Sequence, residues 1–183
     1  MARVMKVKDW SSRETVAHAR ALLGKWLVVA GSESDGARTA VSRWRITETE
    51  AYDGPEDRAC HAARGRTART EVMFGAPGCW YVYLCYGIHE MLNLVTGPKD
   101  YPAAVLIRGV EGVVGPGRLT KRLGIGRALN GAAAGRACGL WLEDDGLVVR
   151  EEEVTSTPRV GIDYAGPEWA AKPWRFVWRR VTD

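Results

Sequence analysis

The chain has no long apolar run. No segment approaches the 18 or so residues of a membrane-spanning helix, and the opening residues, MARVMKVKDW, do not read as a signal peptide. Histidine and cysteine are scarce, at three and four residues. Cys60, Cys79, Cys85 and Cys138 form no C-x-x-C pair. Three histidines cannot complete a metal set with them, so neither a structural zinc nor a disulfide framework is expected. Four free thiols suit a reducing, cytoplasmic protein, associated with the nucleoid if the source is bacterial. Neither sign of charge dominates: 26 Lys and Arg against 22 Asp and Glu leave a net +4. That balance admits a nucleic-acid partner without requiring one. A P-loop, G-x-S-x-G and H-E-x-x-H are all absent.

What is present fits one folded domain: 183 residues, 46% hydrophobic and 26% charged, with eight tryptophans. Ser11-Ser12-Arg13-Glu14 has capping-box spacing, and Val16, Ala19, Leu22 and Leu23 recur at helical intervals before Gly24. Lys25–Ala30 reads as a strand, and 31–36 (GSESDG) as a turn leading into a second strand from Arg38 to Tyr52. Trp80–Tyr86 and Met91–Val95 suggest a hairpin turning near Tyr86-Gly87. Ala104–Val110 is a further strand, followed by a short helix over Pro116–Leu123. Leu140–Leu142 and Leu147–Val149 read as a second hairpin, and Phe176–Trp178 as the strand that closes the sheet. This order predicts an α+β fold: an antiparallel sheet with peripheral helices. Leu123-Gly124-Ile125-Gly126 is reminiscent of a helix-hairpin-helix turn, but Gly131 and Gly135 interrupt its second helix.

The strand from Arg38 to Tyr52 is the informative one. Period two places Trp44, Ile46, Glu48, Glu50 and Tyr52 on one face, so two carboxylates continue an apolar row. A carboxylate lining a buried cleft is costly unless it is paired or its pKa rises. The alternative is that the strand ends near Thr47 and both acids are solvated. Beyond it, residues 53–70 form a loop in which Arg58, Arg64, Arg66 and Arg69 surround His61. Tyr81, Tyr83 and Cys85 point one way from the aromatic strand, and Trp80, Val82 and Leu84 the other. Aromatic rings facing a carboxylate suit a flat, electron-poor or cationic ligand, although a tyrosine-packed core would look the same.

Arg45–His61, RITETEAYDGPEDRACH, closely resembles the alkyladenine DNA glycosylases, the mammalian-type 3-methyladenine DNA glycosylases. The likeness continues through RTARTEVMFGAPGCWYVYLCYGIHEMLNLV, AAVLIRG, GPGRLTKRLGI and RVGIDYAGPEWAAKPWRF, and so spans nearly the whole chain in order. It implies that residues 1–183 form a single glycosylase domain on a curved antiparallel sheet with a protruding hairpin, acting as a monomer without cofactor or metal. The implied partner is duplex DNA carrying damaged purines, with no membrane. Glu50 would activate the water that attacks C1′, with Arg108 and the main chain of Val160 holding that water. Tyr52, His61 and Tyr83 would sandwich the flipped base, and Asn93 would clash with the amino group of normal guanine. Tyr86 would wedge into the minor groove. No Lys neighbours Glu50 in sequence to act as an amine nucleophile, so hydrolysis without lyase chemistry is expected. Two departures stand out: His89, where the family often has an aromatic ring, and Cys79, where His is common.

The resemblance implies release of 3-methyladenine and 7-methylguanine, with hypoxanthine and ethenoadenine as further substrates. A non-catalytic damage-binding module and a nucleoside hydrolase are the rival readings. Arg64, Arg66 and Arg69 are candidates for phosphate contacts. Arg118–Arg136 adds five basic residues, while Glu143–Asp145 and Glu151–Glu153 are expected to offset them from another face.

Overall fold

The computed structural model describes residues 2–31 and 41–179. The predicted turn at 31–36 and the first residues of the strand expected from Arg38 fall largely outside them. Thirteen regular elements follow in order: β1 (Arg3–Val4), α1 (Thr15–Ala21), β2 (Trp26–Ala30), β3 (Val41–Asp53), β4 (Trp80–Cys85), β5 (His89–Thr96), β6 (Ala103–Val110), β7 (Val113–Val114), α2 (Pro116–Leu123), β8 (Leu140–Asp144), β9 (Val154–Thr157), α3 (Pro167–Ala171) and β10 (Arg175–Trp178). Every strand pair is antiparallel, in the order β1-β8-β2-β3-β6-β5-β4, with β9–β10 added on β3 and β7 on β6. This is the expected α+β architecture. Among the described residues no helix is long and apolar enough to cross a membrane.

β3 joins the two parts of the sheet. Its first half, Val41–Arg45, pairs with β2, and from Ile46 onward it pairs with β6. The register slips between Ile46 and Thr49. A bulge of this kind reverses the side-chain alternation across it. Ile46 and Ala51 therefore share one core cluster with Leu22 and Leu23 of the α1 region, although unbroken alternation would place them on opposite faces. The single inward row expected from Trp44 to Tyr52 is thus two rows. The bulge also requires close approach of β6: a Cβ at Gly109 would lie 3.2 Å from Glu48 Cβ. Beyond it, Thr49 faces α1, its hydroxyl donating to Ala19 O at 2.7 Å. Glu48 and Glu50 are both buried, which excludes the solvated alternative.

β4 alternates as expected. Trp80 and Val82 join the main core, while Tyr81 and Tyr83 pack in a second cluster with Cys60, Met73 and Ala104. Two local expectations fail. α1 starts without a side-chain cap at Glu14; Ser11 Oγ instead donates to Lys8 O, and Ser12 Oγ meets His18 Nε2 at 2.9 Å. Leu147–Val149 is not a strand, because both edges of β8 are already taken by β1 and β2. The N–H groups of Gly146 and Leu147 donate to Asp144 and Asp145, and Leu147 O accepts from Lys25 Nζ. The acidic run 143–145 does not stand on a face of its own either. Glu143 pairs with Arg43 and Arg136, Asp144 with Lys25 and Asp145 with Arg45. Of the five basic residues in the run Arg118–Arg136, Arg127 pairs with Glu90 and Arg136 with Glu143, while Arg118, Lys121 and Arg122 on α2 are exposed and make no ion pair among the described residues.

The segment after β9 is fastened to the loop after β3 by a fully buried pair. Arg159 donates Nη1 to Asp57 Oδ2 at 2.5 Å and Nη2 to Oδ1 at 2.9 Å, and Nη1 also reaches Ala51 O at 2.7 Å. Asp57 further accepts from the N–H groups of Asp53 and Ala59. Removing one partner of such a pair leaves an uncompensated buried charge. Asp57→Ala is therefore expected to lower folding stability by about 3–5 kcal/mol, measured by chemical denaturation.

Candidate active site

A cavity of about 540 Å³ opens where β3, β4, β5 and β6 meet the loops 57–74 and 158–164. Glu50 has no exposed surface and lies behind the cavity lining, bonded to three of the lining residues. Its Oε1 accepts the Val160 N–H at 2.8 Å, and its Oε2 accepts from Tyr52 OH at 2.9 Å and from Arg108 Nη1 at 3.4 Å. Burial pushes the Glu50 carboxyl above its ordinary range, against the pull of Arg108, Val160 and Tyr52. The result is a carboxylate with raised basicity and fixed orientation, suited to taking a proton from a small molecule beside it. Arg108 is aimed by a second acid: Glu48 Oε1 accepts its Nε at 2.8 Å and Arg175 Nε at 2.6 Å.

The aromatic lining comes from three segments. Tyr52 ends β3, Tyr83 comes from β4 and His61 opens the turn His61–Arg64. His61 stands edge-on to Tyr83, with ring centres 4.5 Å apart. Its Nδ1 is 3.1 Å from Tyr81 OH, and Arg69 Nη2 donates to its Nε2 at 3.4 Å. A guanidinium cannot accept, so Nε2 is the bare nitrogen and Nδ1 carries the proton. Asn93 is buried, its two amide N–H groups directed to Tyr81 O at 3.1 Å and Met91 O at 3.3 Å. These bonds fix its side chain in the cavity wall.

Tyr86 sits at the tip of the β4–β5 hairpin with 89% of its surface exposed, beside exposed Ile88. The tip is closed by a bond from Ile88 N–H to Cys85 O at 3.1 Å. Tyr86 and Gly87 both adopt positive φ, 51° and 70°. Glycine does so freely, whereas a tyrosine there costs of order 1–3 kcal/mol. The turn thus holds an aromatic ring out in solvent against two unfavourable terms. His89 packs its ring on α2 at Gly117, away from the tip.

The site residues expected from the sequence therefore fall into groups. Arg108, Val160, Tyr52, His61, Tyr83 and Asn93 line the cavity with Tyr86, and Glu50 lies buried behind Tyr52, Arg108 and Val160. The three arginines of the loop part company. Arg66 is tied to Asp100 at 2.5 Å and lies over Phe74, Arg69 turns into the cavity and Arg64 is exposed. Sequence reasoning did not assign Tyr81, Arg159 or the Arg175–Glu48 contact to the site. The parity shared by Glu48 and Glu50, and the adjacency of Arg159 to Val160, were the available signals.

The family model for methylpurine-DNA glycosylases matches residues 9–115 and 113–181 of the chain. Relatives provisionally named as 3-methyladenine DNA glycosylases cover most of it. The one from Psychrobacter cryohalolentis is 44% identical over 197 residues, 93% of this chain and 90% of its own. That from Methanocella arvoryzae is 44% identical over 189 residues, covering 92% and 90%. That from Myxococcus xanthus is 47% identical over 182 residues, covering 94% and 89%.

Burial and the neighbouring Arg69 push the His61 imidazole down to about 4. Its ring is expected to stay neutral on lowering the pH until about 4, observed by NMR titration of the ring protons. The unfolded chain takes up that proton near 6.5, so this histidine's contribution to stability is complete above 6.5 and falls away as the pH drops towards 4.

Proposed function

Because the chain belongs to the methylpurine-DNA glycosylase family, we propose that it is a monofunctional DNA-3-methyladenine glycosylase. It would extrude damaged purines from duplex DNA and hydrolyse their N-glycosidic bond, leaving an abasic site. The observation that carries this reading is the buried Glu50 carboxylate, held by Val160 N–H, Tyr52 OH and Arg108, three residues that line an aromatic cavity.

The chemistry follows from that placement. A nucleotide within a duplex hides C1′, so its base must leave the stack at a cost of a few kcal/mol. The Tyr86 ring, already solvent-exposed at the hairpin tip, is suited to fill the vacated space. Within the cavity the base would lie against Tyr52, Tyr83 and His61. A water beside Glu50 would attack C1′ as the glycosidic electron pair departs with the base, and Glu50 would take the proton from that water. A purine alkylated on a ring nitrogen, such as 3-methyladenine or 7-methylguanine, leaves as a neutral base and needs no proton. Hypoxanthine and ethenoadenine depart as anions unless they are protonated. Among the described residues no lysine lines the cavity, which supports hydrolysis rather than attack by an amine.

Glu50→Gln is expected to retain binding to lesion-containing duplex while base release falls about 100- to 10,000-fold, measured as abasic sites in a single-turnover assay. Release at the wild-type rate would show that Glu50 is not the base. In the wild type, the acid limb of the rate profile should lie above the ordinary carboxylate pKa of 4.5, because activity needs Glu50 ionised and burial raises its pKa. Tyr86→Ala should weaken binding to lesion duplex without loss of folded structure, measured by fluorescence anisotropy and circular dichroism. Unchanged affinity would remove the wedge from the mechanism.

A further inference from the structure

Two of the tyrosine rings that line the cavity, Tyr52 and Tyr83, already carry a cation. The Arg159 guanidinium carbon lies 4.8 Å from the centre of the Tyr52 ring, and that of Arg69 lies 5.0 Å from the centre of the Tyr83 ring. Each is within the range of cation–π attraction. The two differ in what balances them. Arg159 is neutralised at hydrogen-bond distance by Asp57. Arg108 and Arg175 are likewise met by Glu48 and Glu50. Arg69 is the exception. Its contacts are the neutral ring of His61, the Tyr81 side chain and the face of Tyr83, and among the described residues no carboxylate pairs with it. The cavity therefore holds one uncompensated positive charge, placed where a bound base would feel it.

This bears on which lesions the site favours. An aromatic cage normally rewards a cationic guest through its ring quadrupoles. Here the quadrupole of Tyr83 is engaged by Arg69, whose charge also repels a second cation. A neutral purine loses nothing by comparison, because stacking and shape do not depend on that charge. Resting on the glycosylase reading above, we propose that Arg69 is a specificity-determining residue that weights the pocket against cationic alkylpurines and towards neutral lesions. It acts by charge rather than by filling space.

The test compares two lesions in one sequence context, 7-methylguanine as the cationic base and hypoxanthine as the neutral one. Single-turnover excision constants are measured for the wild type, Arg69→Gln and Arg69→Lys. Any contact of Arg69 with a phosphate affects both duplexes alike and cancels in the ratio, whereas the effect of Asn93 on the amino group of 7-methylguanine, which hypoxanthine lacks, is the same factor in the ratio of every variant. Arg69→Gln is expected to raise the ratio of 7-methylguanine to hypoxanthine excision about fourfold, the effect of one charge about 5 Å away in a largely aqueous mouth. Arg69→Lys keeps the charge and should stay near the wild-type ratio. An unchanged ratio in Arg69→Gln, even with both rates reduced, would overturn the proposal by making Arg69 a phosphate contact alone. An equal rise in Arg69→Lys would overturn it too, since shape rather than charge would then be responsible. Wild-type protein that releases neither base would overturn the glycosylase reading and this inference with it, whereas release of both with an unmoved ratio overturns only the inference. Arg69 is exposed, so loss of fold does not confuse the comparison.

Discussion

A carboxylate without solvent contact is the constraint around which the site is organised. Left alone in a low-dielectric interior, Glu50 would be protonated and useless as a base. Three donors reach it from three different parts of the chain: a tyrosine on its own strand, an arginine across the sheet and a backbone N–H from the loop after β9. Only the tyrosine is local; the arginine and the backbone N–H come from 58 and 110 positions away. The bulge between Ile46 and Thr49 sends Thr49 and Ala51 to the α1 side, leaving Glu50 on the opposite face with Tyr52, which lines the cavity. The geometry around Glu50 and the core packing are thus set by the same irregularity of one strand.

The donors need support of their own. Arg108 would be free to swing were its Nε not held by Glu48, which is shared with Arg175 of β10. The Val160 N–H depends on where the preceding residue is anchored, and Arg159 is anchored to Asp57 and to Ala51 O, the carbonyl next to Glu50 in the chain. Buried ion pairs contribute little net stability when their desolvation is counted. Their value here is geometric: each fixes a donor on Glu50 to within the tolerance of a hydrogen bond. The buried Nε of Arg159 makes no bond of its own, so the guanidinium is oriented by Asp57, Ala51 and its ring contacts alone.

Legibility in the sequence followed the range of the interactions. The α2 boundaries, Pro116 to Leu123, were readable because a proline start and a glycine stop are local signals. The β4 faces were readable because period two is local as well. The Leu147–Val149 strand failed because pairing depends on whether a neighbouring edge is free, and both edges of β8 were occupied. The α1 cap failed because Ser11 and Ser12 had other partners. In the site, Glu50 stood out as an acid in an apolar row, yet the row itself was misread, since a bulge leaves no mark in residue type. The arginine partners of Glu48 and Asp57 lie 60 to 127 positions away, beyond any spacing rule. The resemblance to a known family named the principal cavity residues, but it could not show that Arg69 turns inward while Arg66 is held on the surface.

That difference changes the meaning of the basic loop. On composition, Arg64, Arg66 and Arg69 are interchangeable candidates for phosphates, because a loop rich in arginine beside a cleft is generically a DNA contact. Once folded they are not equivalent. A guanidinium bonded to acids has part of its charge spoken for, as with Arg66, while one lying on a tyrosine inside a cavity changes the electrostatics of whatever enters. The net charge of the whole chain, +4, carries no information on this point. What matters for a base in the cavity is a local balance: Glu48, Glu50 and Asp57 are matched by Arg108, Arg159 and Arg175, leaving Arg69 over. The charge felt by whatever enters the cavity therefore resides in one exposed side chain, separate from the buried residues bonded around Glu50.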